Sequence, residues 1–160
     1  MSEDEPRWLD DDEKATWRAL AGTVIRLPAA LDAQLQRDAG ISHFEYQVLA
    51  GLSTAPERTL RMSVLADFVD GSLSRLSHTV KRLEKEGWVC RASDPADGRY
   101  TLATLTGEGW GKVLTAAPGH VGEVRRLVFD PLTKPQQRQL REIGRRITRA
   151  SAPGSDCPEG

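Results

Sequence analysis

Apolar residues recur along most of this chain at intervals of three and four, and the breaks in that rhythm divide it into elements. Trp17, Leu20, Val24, Leu27, Leu31 and Leu35 predict a long helix from about Asp12 to Arg37. Pro28 lies inside it, where it removes one intrahelical hydrogen bond and crowds the carbonyl four residues back, so a kink or break is expected. Gly40-Ile41 reads as a turn, and Ser42-His43-Phe44-Glu45 as a capping box. The helix it opens runs through Phe44, Val48, Leu49 and Leu52 and stops before Pro56. The stretch 62–70 repeats the rhythm through Val64, Leu65, Phe68 and Val69, until Asp70-Gly71 breaks it. Ser72 is placed to cap the next helix, 72–87, whose stripe is Leu73, Leu76, Val80 and Leu83.

The period then changes. Trp88–Arg91 and Tyr100–Leu105 are rich in strand formers, and the loop 93–99 between them is dense in turn residues, which predicts a hairpin. Thr59-Leu60-Arg61 is a candidate third strand. Thr106 is placed to cap a helix carrying Val113 and Leu114, which Pro118-Gly119 should interrupt before Val121, Val124, Leu127 and Val128 resume the pattern up to Pro131. Thr133 to Gln136 is a second capping box, with Pro135 in the first turn. The last helix carries Leu140, Ile143 and Ile147 on one side and Arg138, Arg141, Arg145, Arg146 and Arg149 on the other.

The polar face of 72–87 holds Ser74, Arg75, Ser77, His78, Lys81, Arg82 and Lys85. Each can donate a hydrogen bond and none is a carboxylate. A short helix, a glycine turn, a basic second helix and a hairpin make a winged helix-turn-helix. The fold class expected is mainly α with a small β-hairpin wing. The first helix and the last two carry more apolar surface than so small a winged domain can cover, which suggests a second copy as partner.

Composition narrows the class. At 160 residues the chain supports one core. Its apolar runs are too short to span a membrane, and its first thirteen residues, seven acidic against one arginine, are unlike a signal peptide. Cys90 and Cys157 make no disulfide framework, which fits a reducing cytoplasm. The net charge of −1 argues weakly against a nucleic-acid partner until it is divided. Residues 1–13 carry −6, one basic against seven acidic; residues 14–160 carry +5, with 21 basic and 16 acidic.

The order LADFVDGSLSRLSHTVKRLEKEGWV, then DPADGR, then LT-x-x-G resembles the MarR family of bacterial transcription regulators, over roughly residues 12–150. The densest matches are Leu65-Ala66, Leu83 to Gly87, Asp97-Gly98-Arg99 and Leu105-Thr106 with Gly109. Arg61 departs from the family, which often has a small hydroxyl residue there to cap the following helix, so the start of that helix is in question. Charge and composition predict a flexible acidic N-terminus (1–11) and a disordered tail (151–160), and around the winged helix-turn-helix (42–106) the resemblance implies dimerisation helices at 12–38 and 107–150. It implies double-stranded DNA bound as a homodimer on an inverted repeat. Contacts would come from Arg61, Ser72, Ser74, Arg75, Ser77, His78, Lys81 and Arg82, with Asp97 bracing the wing tip and Arg99 entering the minor groove. Arg58 and Arg91 are further candidates for phosphate. Small aromatic effectors in this family often sit where dimer helices meet the winged domain, which singles out Trp17, His43, Tyr46 and Trp110. Repression is the family's common mode, with activation left open.

Other chemistry has little support. His43, His78 and His120 lie far apart without metal-ligand spacing, no catalytic motif occurs, and no cofactor is expected. Cys90 reads as a small buried strand residue rather than a redox sensor. The remaining alternative is a winged-helix module that binds protein through the same face.

Overall fold

The computed structural model describes residues 6–152, with two compact units dividing after Val121. Residues 1–5 and 153–160, including Cys157 and most of the expected tail, lie outside the described residues.

In the first unit, helix α1 (Asp11–Ala39) begins at a capping box of Asp10 and Glu13 and ends at Gly40, whose φ of 66° few side chains tolerate. The expected break at Pro28 does not occur. Pro28 is exposed, and so is Val24, whose carbonyl loses its helical donor, so water can satisfy it. Ser42 and Glu45 close the expected capping box of α2 (His43–Thr54). Strand β1 (Thr59–Arg61) follows, and α3 (Met62–Phe68) starts directly after Arg61 without a side-chain cap. Helix α4 (Leu73–Lys85) is capped by Ser72. Strands β2 (Val89–Ser93) and β3 (Thr101–Leu105) form the hairpin, and β1 joins it in an antiparallel sheet of order β1-β3-β2. The register pairs Thr59 with Thr104 and Val89 with Leu105.

The core gathers Leu35, Ile41, Val48, Leu49, Leu52, Leu65, Leu76, Val80 and Leu83, with Ala103 and Leu105 from the inner face of β3. Each such side chain contributes about 1.5–3 kcal/mol by leaving water. Two of the stripes, on α3 and α4, differ from the pattern reading. Val64 and Phe68 are exposed on α3, because the set that faces the core is Met62, Leu65, Ala66 and Val69, one residue round the helix. Leu73, in the first turn of α4, is exposed beside the wing. Trp8 and Leu9, ahead of α1, are exposed as well.

Helix α5 (Gly107–Val124) is capped by the Thr106 hydroxyl, which accepts from the Gly109 N–H at 3.0 Å. It runs unbroken through Pro118-Gly119, contrary to the expected interruption. Both Pro118 and Leu114, the residue four back, are exposed, so the reason is the same as at Pro28.

The second unit continues from the end of α5 into a π-helical turn, Arg125–Phe129, before α6 (Lys134–Ala150). Thr133 and Gln136 form the expected capping box, and the Gln137 amide donates to the carbonyls of Phe129 and Leu132. No residue of α6 is buried, and Leu140, Ile143 and Ile147 are 47%, 52% and 42% exposed. Among the described residues no helix is long and apolar enough to cross a membrane.

Candidate nucleic-acid interface

Helix α4 buries Leu76, Val80 and Leu83 and turns Ser74, Arg75, Ser77, His78, Lys81, Arg82 and Lys85 outward. The Ser72 Oγ accepts the Arg75 N–H at 3.1 Å, and its own proton stays free to donate. The Arg75 guanidinium lies 3.9 Å over the Phe44 ring, which restricts its fork while leaving its donors exposed. Lys81 and Lys85 have no ion-pair partner among the described residues. Arg82 also faces outward and pairs at 3.1 Å with Glu45, the buried carboxylate that also caps α2.

The wing is built on two aspartates. Asp94, nearly buried, accepts from Arg61 at 2.7 and 2.8 Å and from the Ala96 N–H at 2.8 Å. The Ala96 N–H and then the Arg61 guanidinium hold its carboxyl below the usual aspartate range. Arg61 also lies 4.2 Å over the Tyr100 ring. Arg61 is therefore fastened to the base of the wing. Asp97 forms a fork with Arg99, accepting Nη2 at 2.7 Å and Nε at 3.0 Å, as well as the Arg99 N–H. That fork lowers the Asp97 pKa and raises that of Arg99, whose side chain stays 83% exposed. The bracing of Arg99 by Asp97 is thus present in the geometry.

Arg91 is pinned to Glu84 at 2.8 Å, whereas Arg58 lies 4.5 Å over the Trp110 ring with no carboxylate partner among the described residues. Between α4 and the wing lies an open cleft of about 430 Å³, lined by Arg61, Ser77, Arg91, Arg99 and Tyr100. Asp94, Tyr100 and Glu45 were missed as contributors. Their roles come from partners 33 to 39 residues away in sequence, and only Asp94 carried a local signal, as an Asx residue opening the loop.

The four residues proposed for an effector do not assemble. Trp17 is exposed on α1, and Trp110 sits under Arg58. His43 and Tyr46 instead meet His120, with ring centroids 5.6 and 4.4 Å away. His43 and His120, far apart in sequence, are thus brought together by the fold; the expected break at Pro118 hid that His120 extends the α5 face of Val113 and Ala116. Burial lowers the pKa of both His43 and His120, and His43 lowers that of His120 further. His120 Nδ1 and Gln34 Oε1 are buried without a hydrogen-bond partner in the described structure. His43 also lines an open cavity of about 500 Å³ with Asp32, Ser42, Phe44, Gln47 and Arg75. Cys90 is exposed on β2, not buried: on that strand Val89 takes the inward position of the pleat and Cys90 the outward one.

A sequence profile of the MarR family matches residues 39–99, from the end of α1 to the wing tip. The chain is 45% identical to Sco3205, a MarR family transcriptional regulator from Streptomyces coelicolor solved in complex with DNA. That likeness covers 96% of this chain and 97% of the other, with a TM-score of 0.91. The chain belongs to the MarR family. AbsC, a second MarR family transcriptional regulator of Streptomyces coelicolor, is 33% identical over 91% of this chain and 97% of its own, with a TM-score of 0.86. The HTH-type transcriptional regulator YdcH of Bacillus subtilis is 31% identical over 80 residues, 49% of this chain and 54% of YdcH, so that match spans about half of the curated relative. The family and the fold read from the motif order are borne out in this MarR family chain.

Proposed function

We propose that this MarR family chain is a sequence-specific DNA-binding repressor that binds an inverted-repeat operator as a homodimer. The observation that carries the reading is the exposed, carboxylate-free donor face of α4, set beside a wing whose exposed Arg99 is aimed by Asp97. Helix α4 enters a major groove, where base edges distinguish all four pairs, and the wing follows a minor groove. A relative of nearly equal length, 45% identical, has been solved with DNA, which supports the same partner here. The uncovered apolar residues of α1 and of α6, each in its own unit, support a second copy. Selection of bound duplexes from a random pool, followed by sequencing, tests the proposal. It should return an inverted repeat with half-sites about one helical turn, roughly 10 base pairs, apart. A pool without enrichment, together with elution from heparin at low salt, favours the protein-binding alternative.

Release by a small aromatic effector is a second part of the reading. It is favoured by the His43, Tyr46 and His120 rings and the unpartnered, buried Nδ1 of His120 among them. A panel of hydroxylated benzoates, titrated against the operator complex, should contain at least one compound that dissociates wild type and fails on His120→Ala. If none dissociates the complex, effector release at these rings is wrong.

A further inference from the structure

The last helix carries a feature that operator binding does not use. Arg138, Arg141, Arg145 and Arg149 follow one another at three, four and four, a single stripe along α6 about 16 Å long at the helical rise. None of the four has a carboxylate partner among the described residues, and Glu142, the one acid on the helix, is taken by Arg146. The stripe lies opposite Leu140, Ile143 and Ile147, which are themselves uncovered.

The sequence holds one segment of matching opposite charge. Residues 1–13 carry seven carboxylates against a single arginine. Asp10 and Glu13 are used by the α1 capping box and Asp11 by Lys14; Asp12 has no ion-pair partner among the described residues, and Glu3, Asp4 and Glu5 lie outside them. Trp8 and Leu9, both exposed, give the same segment an apolar anchor.

We propose that the arginine stripe of α6 is the docking surface for the acidic N-terminal segment of the second copy, an electrostatic clasp exchanged between the two protomers. The proposal rests on the homodimer reading above. The apolar side of α6 requires a cover, and where a second copy supplies it the stripe, on the opposite side of the helix, stays open to a segment reaching round from that copy. Opposite charge at such a solvent-facing contact fixes register and partner choice more than it adds affinity. The clasp also neutralises a segment whose charge would otherwise repel DNA phosphates.

A charge-swap experiment on the full chain decides the matter. One variant carries R138E/R141E/R145E and the other E3K/D4K/E5K, leaving both helix caps intact. Each variant alone carries like charges at both clasps and should dimerise about tenfold more weakly than wild type at low salt. Mixed, they restore attraction at both clasps, so native mass spectrometry should show heterodimer well beyond the statistical half. A chain carrying all six substitutions should dimerise as wild type does. Statistical mixing overturns the clasp, and so does an arginine variant that dimerises normally but loses affinity for random duplex, which would assign the stripe to nucleic acid. Wild type sedimenting as a monomer overturns the dimer reading itself. Circular dichroism melts, with R138Q/R141Q/R145Q as the milder variant, separate loss of the clasp from loss of fold.

Discussion

At the scale of single residues, the two exposed arginines of the interface differ in what holds them, and their substitutions should differ accordingly. Arg75 is steadied only by the Phe44 ring and keeps its whole donor fork for bases. Arg75→Ala should cost roughly 1–3 kcal/mol per bidentate contact and relax sequence preference locally. Arg99 has only the degenerate minor-groove pattern to read, so Arg99→Ala should weaken binding to a similar degree across many sequences. Asp97→Ala should be a milder copy of it, because the guanidinium survives but loses its aim. Binding series on the selected operator and its single-base variants check all three; equal losses on every sequence for Arg75→Ala would mean that it anchors rather than reads. The two histidines make a separate prediction in pH. Both have folded pKa values below the ordinary 6.5, mainly from burial, while Asp32 partly opposes the shift at His43. Below 6.5 the unfolded chain takes up protons that the folded chain resists, so their contribution is complete above 6.5 and is lost as pH falls from there toward the lowered values. The melting temperature should drop between pH 7.5 and 5.5, and a His43→Gln/His120→Gln variant should flatten that drop.

At the scale of elements, the first turn of α5 is locked to the wing by a close approach that only glycine permits. A Cβ on Gly109 would collide with the Trp88 carbonyl oxygen and with Leu105, whereas one on Gly111 would meet nothing within 4 Å. Gly109→Ala should therefore destabilise by about 1–3 kcal/mol, as overpacking does. Gly111→Ala should stabilise by roughly 0.5–1 kcal/mol through helix propensity, and urea titrations of the two distinguish them. The same element shows where the sequence was legible. Caps, stripes and the hairpin could be read because they depend on residues within a few positions of one another. Ser42 with Glu45, Ser72, Thr133 with Gln136, and the Leu76, Val80 and Leu83 stripe are all as expected. The prolines misled because their cost depends on whether the freed carbonyl faces water, which local pattern does not reveal. Pairs such as Arg61 with Asp94 and Arg82 with Glu45 were invisible for the opposite reason, since each joins elements that only the folded chain brings together. His120 was lost to both effects, placed beyond a supposed break and meeting partners more than 70 residues earlier.

At the scale of the whole molecule, a net charge of −1 conceals a basic binding face, and salt dependence is the measurement that sees the face rather than the total. Counterion release counts only cations that neutralise phosphates, so arginines already paired within the chain do not contribute while those pairs persist. Arg61, Arg82 and Arg91 are so engaged, with Asp94, Glu45 and Glu84. Arg58, Lys81 and Lys85 have no carboxylate partner among the described residues, whereas Arg75 and Arg99 are assigned to base edges. Three phosphate contacts per protomer make about six per dimer, and log affinity should fall with log salt at a slope of about −5. If the three internal pairs opened on DNA and their arginines turned to the backbone, the count would double and the slope would approach about −11. Fluorescence anisotropy on the selected operator, from low to moderate KCl, distinguishes these values. A slope near zero would remove DNA as the partner, whereas a slope near −5 that steepens in Asp94→Asn would show the internal pair holding Arg61 back from the phosphates.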